Sequence, residues 1–167
     1  MPEVNKVVMV DDEKDLCAIV KDNLESTHEF SVVTTSNPLE AEAVIRRENP
    51  QVILLDMVMP GRKGTEIVAA LKKDPALKGI PIIAVSGKGE MVYDKKKDEF
   101  KWQPNNPAVK SRGTLPDAKG AEALAKAYEV ADYVSKPFTT NVLVDVIKDV
   151  LARTSKKTES STDDGFV

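Results

Sequence analysis

The stretch Gln51 to Gly64, QVILLDMVMPGRKG, constrains the fold more than any other part of the chain. Its branched apolar residues do not alternate with polar ones, which is typical of a strand buried on both faces of a parallel sheet. The run ends in a single carboxylate, Asp56, and a Pro-Gly turn follows. Because open α/β sheets bind ligands at the carboxyl ends of their strands, Asp56 is the first candidate for a functional residue.

Four more segments have the composition of strands, and helical spacing of apolar residues separates them. These strands are predicted at Lys6 to Val10, Phe30 to Thr35, Ile80 to Ser86 and Asp132 to Ser135. Helices are predicted after Asp12, from Pro38 to Asn49, from Thr65 to Lys73, from about Pro116 to Tyr128 and around Val142 to Leu151. This alternation predicts an α/β fold, a doubly wound five-stranded parallel sheet with helices on both faces.

Two segments lack such patterns. Between Gly87 and about Leu115 the apolar period fails, and we predict neither a strand nor a helix there. The tail 154–167 is polar, so we expect it to be disordered and too short for a second domain. The predicted organisation is one domain over residues 1–153, with an insertion at about 88–115 before the fourth helix.

Composition excludes several classes of function. A net charge of -3 with scattered basic residues gives no footprint for nucleic acid. One cysteine and one histidine exclude Cys-rich and His-rich metal sites. No apolar run approaches the roughly 20 residues that span a bilayer, and the N-terminus lacks the pattern of a signal peptide. We therefore expect a cytoplasmic protein that binds neither nucleic acid nor membrane.

Polar side chains fall where the predicted strands end. Asp11 and Asp12 follow the first strand, Asp56 ends the third, and Ser86 and Lys136 end the fourth and fifth. Parallel strands end at one edge, so these groups can meet there. Clustered carboxylates without His or Cys are ligands that favour Mg²⁺ as the bound ion, with Mn²⁺ as a substitute. A carboxylate beside a cation and a hydroxyl can accept a phosphoryl group as an acyl phosphate.

The ordered motifs DD, LLDMVMPG, S-G and KPF resemble the receiver domain of two-component response regulators, apart from the insertion. The resemblance implies a CheY-like, flavodoxin-like sheet of strand order 2-1-3-4-5. It implies phosphorylation at Asp56, and metal binding by Asp11, Asp12, Asp56 and the backbone carbonyl of Val58. Ser86 and Lys136 would bind the phosphoryl group, and the Lys136–Pro137 bond would be cis.

The resemblance also implies a mechanism and partners. A sensor histidine kinase or a phosphotransfer protein would donate the phosphoryl group, and Asp56 would attack it in line. Ser86 and Tyr133 would then switch the face formed by the fourth helix, fifth strand and fifth helix. That face would bind an output partner protein, or a second copy of the chain in a homodimer. Such a domain is a signalling switch and not an enzyme beyond its own phosphorylation and dephosphorylation.

Three features depart from the usual family pattern. Val58, two residues after Asp56, offers no polar group to position an attacking water, and Lys88 adds a cation after Ser86. We therefore expect an acyl phosphate of moderate to long lifetime. The interval from Ser86 to Lys136 is also long, at 50 positions (136 − 86). Its insertion is either a tolerated surface loop or a lid or docking loop whose anchors, besides Lys88, are Tyr93, Phe100 and Trp102.

Our interpretation is a stand-alone receiver, since no output domain follows in the sequence. Two alternatives stay open. One is a Mg²⁺-dependent phosphatase that works through an aspartyl phosphate, although such enzymes want a second Asp where Val58 stands. The other is a scaffold that keeps the receiver fold but is independent of phosphorylation, with the insertion closing the site.

Overall fold

The computed structural model of the chain describes residues 4–86, 90–94, 99–103 and 130–163. Its strands are β1 (Asn5–Val10), β2 (Phe30–Thr35), β3 (Val52–Asp56), β4 (Ile82–Ser86), β5 (Glu90–Asp94), β6 (Glu99–Gln103) and β7 (Asp132–Ser135). Its helices are α1 (Lys14–Glu25), α2 (Ala41–Glu48), α3 (Gly64–Lys73) and a C-terminal helix (Thr140–Asp163). The predicted helix from about Pro116 to Tyr128 lies outside the described residues.

Five of these strands form one parallel sheet in the order β2-β1-β3-β4-β7. With β7 as the fifth strand of this sheet, the predicted order 2-1-3-4-5 is confirmed. All five residues of β3 are buried, which explains why its sequence is an uninterrupted apolar run up to Asp56. The strand on which the sequence argument rests is therefore the central one.

Apolar layers cover both faces of the sheet. Successive residues of a strand point to opposite faces. Accordingly Ile53 and Leu55 pack in the layer beneath α2 and α3, whereas Val52 and Leu54 pack in the layer beneath α1 and the C-terminal helix. Helices thus lie on both faces, as predicted. None of the helices among the described residues has an apolar stretch long enough to cross a bilayer.

The predicted start of the second helix is confirmed, with one refinement. The Asn37 side chain accepts a hydrogen bond from the backbone N–H of Leu39 at 3.0 Å, which is the cap that the Asn-Pro pair predicts. The first turn, Pro38–Glu40, is a 3₁₀ helix, and α2 follows it. At the other end Asn49 has a φ of 44°, a left-handed conformation that ends the helix.

The segment predicted as an insertion contains regular structure that the sequence analysis did not predict. β5 and β6 pair antiparallel in a separate two-stranded sheet, with Met91 opposite Trp102 and Tyr93 opposite Phe100. Each strand is only five residues long, and Val92 breaks the alternation of apolar and charged residues in the first. A period of two is hard to detect over so short a run.

The expectation of a disordered tail from residue 154 differs from the structure. The C-terminal helix continues through Asp163, so residues 154–163 are helical and not a disordered tail. The apolar stripe that packs on the sheet ends near Leu151, and for that reason the sequence suggested a stop there. Once a helix is nucleated, each further residue adds a hydrogen bond at little cost, so a polar extension can remain helical. Residues 164–167 lie outside the described residues.

Candidate functional site

Asp11, Asp12 and Asp56 meet at the carboxyl edge of the main sheet. β1 and β3 are neighbours, and Val10 pairs with Leu55, so the residues that follow lie level with each other. Each of the three side chains has a carboxylate oxygen within 4.8 Å of the others. The predicted convergence of the strand-end carboxylates is therefore present in the structure.

Two of these carboxylates are almost completely removed from solvent. Asp11 is 0% exposed and Asp56 is 3% exposed, whereas Asp12 is partly exposed. The Asp11 Oδ1 atom accepts a hydrogen bond from the backbone N–H of Glu13 at 2.9 Å, and the Asp56 Oδ1 atom accepts one from Val58 at 3.1 Å. These backbone donors fix both carboxylates in place.

Lys136 brings a positive charge to the same edge. Its Nζ atom lies 2.7 Å from Asp11 Oδ2, 3.3 Å from Glu13 Oε1 and 3.6 Å from Asp56 Oδ2. The bond between Lys136 and Pro137 is cis, as the resemblance implies. Burial alone would lower the pKa of Lys136, but its hydrogen bond to Asp11 and the charges of Asp56, Asp11 and Glu13 outweigh burial and raise that pKa. Lys136 is thus held in its charged form.

The cluster still carries more negative than positive charge. Burial raises the pKa of Asp56 to about 7; the neighbouring Asp11 adds to the rise, while the N–H of Val58 and the Lys136 ammonium oppose it. A divalent cation among the three carboxylates would relieve this excess. Hard oxygen ligands of this kind suit Mg²⁺, so Asp11, Asp12 and Asp56 could hold such an ion.

Gly64 is a residue of the site that the sequence analysis did not single out. It begins α3, and a Cβ atom at this position would lie 2.6 Å from Met57 Cα and 2.7 Å from the carbonyl oxygen of Asp56. The helix therefore approaches the end of β3 as closely as a backbone without a side chain allows. The available signal was a glycine directly before the helix predicted from Thr65, a residue with poor helix propensity.

Two further side chains make contacts with the backbone or the loop next to the site. The Cys17 thiol donates a hydrogen bond to the carbonyl oxygen of Asp11 at 3.3 Å, and burial together with Asp11 raises the pKa of Cys17 to about 11. Arg62, in the loop after Asp56, lies 2.6 Å from Glu42 of α2. Arg62 thus ties the loop that follows Asp56 to a helix of the neighbouring layer. The pair Arg62 and Glu42 is 20 positions apart, and its contact cannot be deduced from a single sequence.

The other predicted site residues have these positions. Ser86 ends β4 and pairs with Ser135 of β7, at the same edge as Asp56. Tyr133 is 3% exposed and packs in the layer beneath α2 and α3. Val58 is 50% exposed, and its proposed carbonyl ligation stays a prediction.

The candidates in the insertion are not brought to the site by any described contact. Lys88 lies outside the described residues. Tyr93 belongs to β5, and Phe100 and Trp102 belong to β6. Their role as a lid or docking element stays a prediction.

Known structures share this fold. The chemotaxis response regulator CheY4 of Vibrio cholerae superposes with a TM-score of 0.64 and 23% identity, covering 89% of this chain and 99% of that one. A CheY-like receiver domain protein of Methanospirillum hungatei superposes with a TM-score of 0.63 and 20% identity, covering 93% of this chain and 99% of its own. The fold is that of a CheY-like domain.

Sequence comparison defines the family. The model of the response regulator receiver domain matches residues 7–99, which is more than half of the chain. The chain therefore belongs to the response regulator receiver domain family, whose members are phosphorylatable signalling domains that interact with histidine kinases or phosphotransfer proteins.

Two curated relatives are the phosphate regulon transcriptional regulatory proteins PhoB of Pseudomonas aeruginosa and Rhizobium meliloti. They are 32% and 30% identical to this chain over 148 residues, which is 89% of it. The match covers 52% of each relative, so the chain spans about half the length of these proteins. Their names describe whole transcriptional regulators, of which the matched part is one portion.

Proposed function

We propose that this chain is a receiver that accepts a phosphoryl group on Asp56 and passes the signal on by binding a partner protein. The observation that carries the proposal is the position of Asp56. It is a buried carboxylate with a pKa raised to about 7, held by one backbone N–H and placed 3.6 Å from a lysine. Strongly perturbed carboxylates beside a specific charge partner are typical of functional sites.

The proposed reaction transfers a phosphoryl group from a histidine nitrogen to a carboxylate oxygen of Asp56. An oxygen of the Asp56 carboxylate attacks the phosphorus of a phosphohistidine on a histidine kinase or a phosphotransfer protein. The new O–P bond forms as the P–N bond breaks, the imidazole leaves, and an acyl phosphate remains on Asp56. Lys136 is close enough to Asp56 to neutralise part of the charge on the transferred group.

Mg²⁺ fits the carboxylate cluster and is the cofactor that we propose, with Mn²⁺ as a substitute. Asp11, Asp12 and Asp56 would hold the ion together with the carbonyl of Val58. When bound, it supplies positive charge that neutralises oxygens of the phosphoryl group. Lys136 would then exchange part of its contact with Asp11 for contact with the new phosphoryl oxygens.

The switch that we propose runs from Ser86 to Tyr133. Ser86 and Ser135 are paired neighbours on β4 and β7. A movement at the end of β4 would therefore displace β7, the strand that carries Tyr133 and leads to Lys136. The responding face comprises β7, the C-terminal helix and the helix predicted before β7. In a stand-alone receiver this face would bind an output protein, or a second copy of the chain in a homodimer.

Beryllofluoride, which mimics the phosphoryl group, gives a direct test. With Mg²⁺ it should shift the amide resonances of Asp56, Val58 and Lys136. Asp56→Asn should remove the response, whereas Asp15→Asn, an exposed aspartate on α1, should keep it. An unchanged spectrum of the wild-type chain would instead favour a scaffold independent of phosphorylation.

The lifetime of the acyl phosphate is a separate proposal. Val58 has no polar group with which to orient a water toward phosphorus, so we expect slow hydrolysis in the presence of Mg²⁺. Following the loss of phosphoryl groups from Asp56 after removal of the donor measures this. Turnover within a few seconds would contradict the proposal.

We also propose that the insertion is a docking element, with Tyr93 of β5 and Phe100 and Trp102 of β6 as its anchors. Aromatic residues are frequent anchors at protein interfaces. Deleting residues 89–114 should leave phosphorylation by a small-molecule donor intact and weaken binding to the kinase or output protein. If partner binding is also unchanged, the insertion is a tolerated surface loop.

A further inference from the structure

Glu13 has a side chain to which the proposed function gives no role. It directly follows Asp11 and Asp12 in the sequence, and its Oε1 atom accepts a hydrogen bond from Lys136 Nζ at 3.3 Å. The same ammonium group lies 2.7 Å from Asp11 and 3.6 Å from Asp56. Glu13 is thus in direct contact with the cation that we expect to receive the phosphoryl oxygens.

Helix capping does not explain why position 13 is a glutamate. Glu13 is the N-cap residue of α1, a position where Ser, Thr, Asp and Asn are preferred because their short side chains bond the N–H groups of the first turn. The Glu13 side chain makes no such bond. Its carboxylate contacts Lys136 and does not stabilise the start of the helix.

The backbone of Glu13 is held, whereas its side chain can move. The N–H donates a hydrogen bond to Asp11 Oδ1 at 2.9 Å, and the carbonyl accepts one from the N–H of Cys17 at 3.0 Å. The Glu13 side chain is 60% exposed, against 11% for Lys136 and 0% for Asp11. Glu13 therefore lies on the solvent side of Lys136. It can leave this lysine at little cost, since exposed ion pairs contribute little to stability.

We propose that Glu13 competes with the phosphoryl group for Lys136 and thereby limits phosphorylation of Asp56. This role rests on the phosphorylation proposed above and adds a residue that restrains it. An incoming phosphoryl group has to take over a Lys136 N–H that Glu13 now accepts, and the Glu13 carboxylate repels its negative charge. Glu13 is a positioning residue, because it acts on the reaction through Lys136.

The affinity for beryllofluoride in the presence of Mg²⁺ measures this competition without a transfer of phosphorus. Glu13→Gln removes the charge and keeps the shape of the side chain, so a titration followed by the amide resonance of Val58 should show about threefold tighter binding than in wild type. Damage to the site would weaken binding instead.

Asp15→Asn is the matched control for the loss of one charge. Asp15 is an exposed residue of α1 that is not among the ion-pair partners of Lys136 in the described chain. Its removal should change the beryllofluoride affinity by less than about 1.5-fold. The initial rate at which Asp56 takes a phosphoryl group from acetyl phosphate, with acetate leaving, should follow the same order and rise about threefold in Glu13→Gln alone.

Glu13→Asp separates the contact with Lys136 from the net charge. Asp keeps the charge, but its side chain is one methylene shorter and suits the N-cap of α1. It should therefore release Lys136, and beryllofluoride should bind more tightly than to wild type. A Glu13→Asp chain with the wild-type affinity would show that charge alone matters, and it would overturn the competition for Lys136.

Titration with Mg²⁺ alone shows whether Glu13 serves the ion instead. Glu13 is not in the group of carboxylates that meet within 4.8 Å, so Glu13→Gln should change the Mg²⁺ affinity by less than about twofold. A larger loss would assign Glu13 to the ion and overturn the competition. Equal beryllofluoride affinities of wild type and Glu13→Gln would overturn it too and leave phosphorylation of Asp56 intact. A wild-type chain that binds no beryllofluoride would contradict both proposals.

Discussion

The two edges of the main sheet differ in how exposed their charged side chains are. The amino edge is where the strands begin, and the carboxyl edge is where they end. At the amino edge the ion pairs are open to solvent, as in Arg153 with Asp149, whose side chains are 52% and 50% exposed. At the carboxyl edge Asp11 and Asp56 are buried, and Lys136 is the lysine that faces them among the described residues. Exposed pairs cost little and contribute little to stability, whereas buried charges in excess destabilise a fold. The buried carboxylates at the carboxyl edge therefore do not stabilise the fold. We infer that the chemistry of the site explains them.

The largest effect should come from the close backbone approach at the carboxyl edge. Gly64→Ala would place a Cβ atom 2.6 Å from Met57 Cα, so either α3 or the end of β3 has to move. We expect a loss of roughly 3 kcal/mol in the free energy of unfolding, at the upper end for overpacking. Gly79→Ala, at the amino edge, is the control and should cost less than about 0.5 kcal/mol.

Urea unfolding of both glycine variants measures this difference. Equal stability of the two variants would mean that the approach of α3 to β3 is not tight. In that case the backbone at the carboxyl edge would be no more tightly packed than the backbone at the amino edge.

The second effect is the gain expected when a buried charge is removed. In the folded state the pKa of Asp56 is about 7, above its ordinary value of 3.8. Between these values the folded chain holds a proton that the unfolded chain releases, so the contribution of Asp56 to stability falls as the pH rises from about 4 to about 7. Without divalent metal, Asp56→Asn should therefore be more stable than wild type at pH 8, by about 2 kcal/mol.

This gain should shrink steadily as the pH is lowered toward 4, as urea unfolding at several pH values would measure. Asp15→Asn is the control, because its exposed carboxylate should change stability by less than about 0.5 kcal/mol at either pH. An Asp56→Asn chain less stable than wild type at pH 8 would remove the contrast between the two edges.

The smallest effect compares one ion pair from each edge. Arg62 and Glu42 are 2.6 Å apart and are 18% and 33% exposed, so they are screened less than Arg153 and Asp149. Double-mutant cycles should give a coupling of about 1 kcal/mol for the first pair and about 0.3 kcal/mol for the second. Equal couplings would show that the loop after Asp56 is not held by Arg62.

The contrast between the edges also explains what the sequence could predict. The carboxylates follow apolar strands, and parallel strands end together, so the convergence of Asp11, Asp12 and Asp56 follows from local pattern and topology alone. The order of the sheet needed the resemblance to receivers, because spacing does not determine which strands are neighbours. Tertiary contacts such as Gly64 against Met57, or Arg62 with Glu42, leave no periodic signal.

The corrections have local causes. The hairpin of β5 and β6 was missed because two five-residue strands give too few repeats to establish a period of two. The tail from residue 154 was expected to be disordered, but residues 154–163 are helical. An apolar stripe marks where a helix packs and not where it ends.

The most direct test of the central claim is the mass of the chain after incubation with acetyl phosphate and Mg²⁺. The account predicts one added phosphoryl group that is located on Asp56 by peptide mapping and released by hydroxylamine, as expected of an acyl phosphate. Omission of Mg²⁺ or the change Asp56→Asn should abolish the addition, while Asp15→Asn should not. An unmodified wild-type chain, or a phosphoryl group that persists in Asp56→Asn, would contradict it.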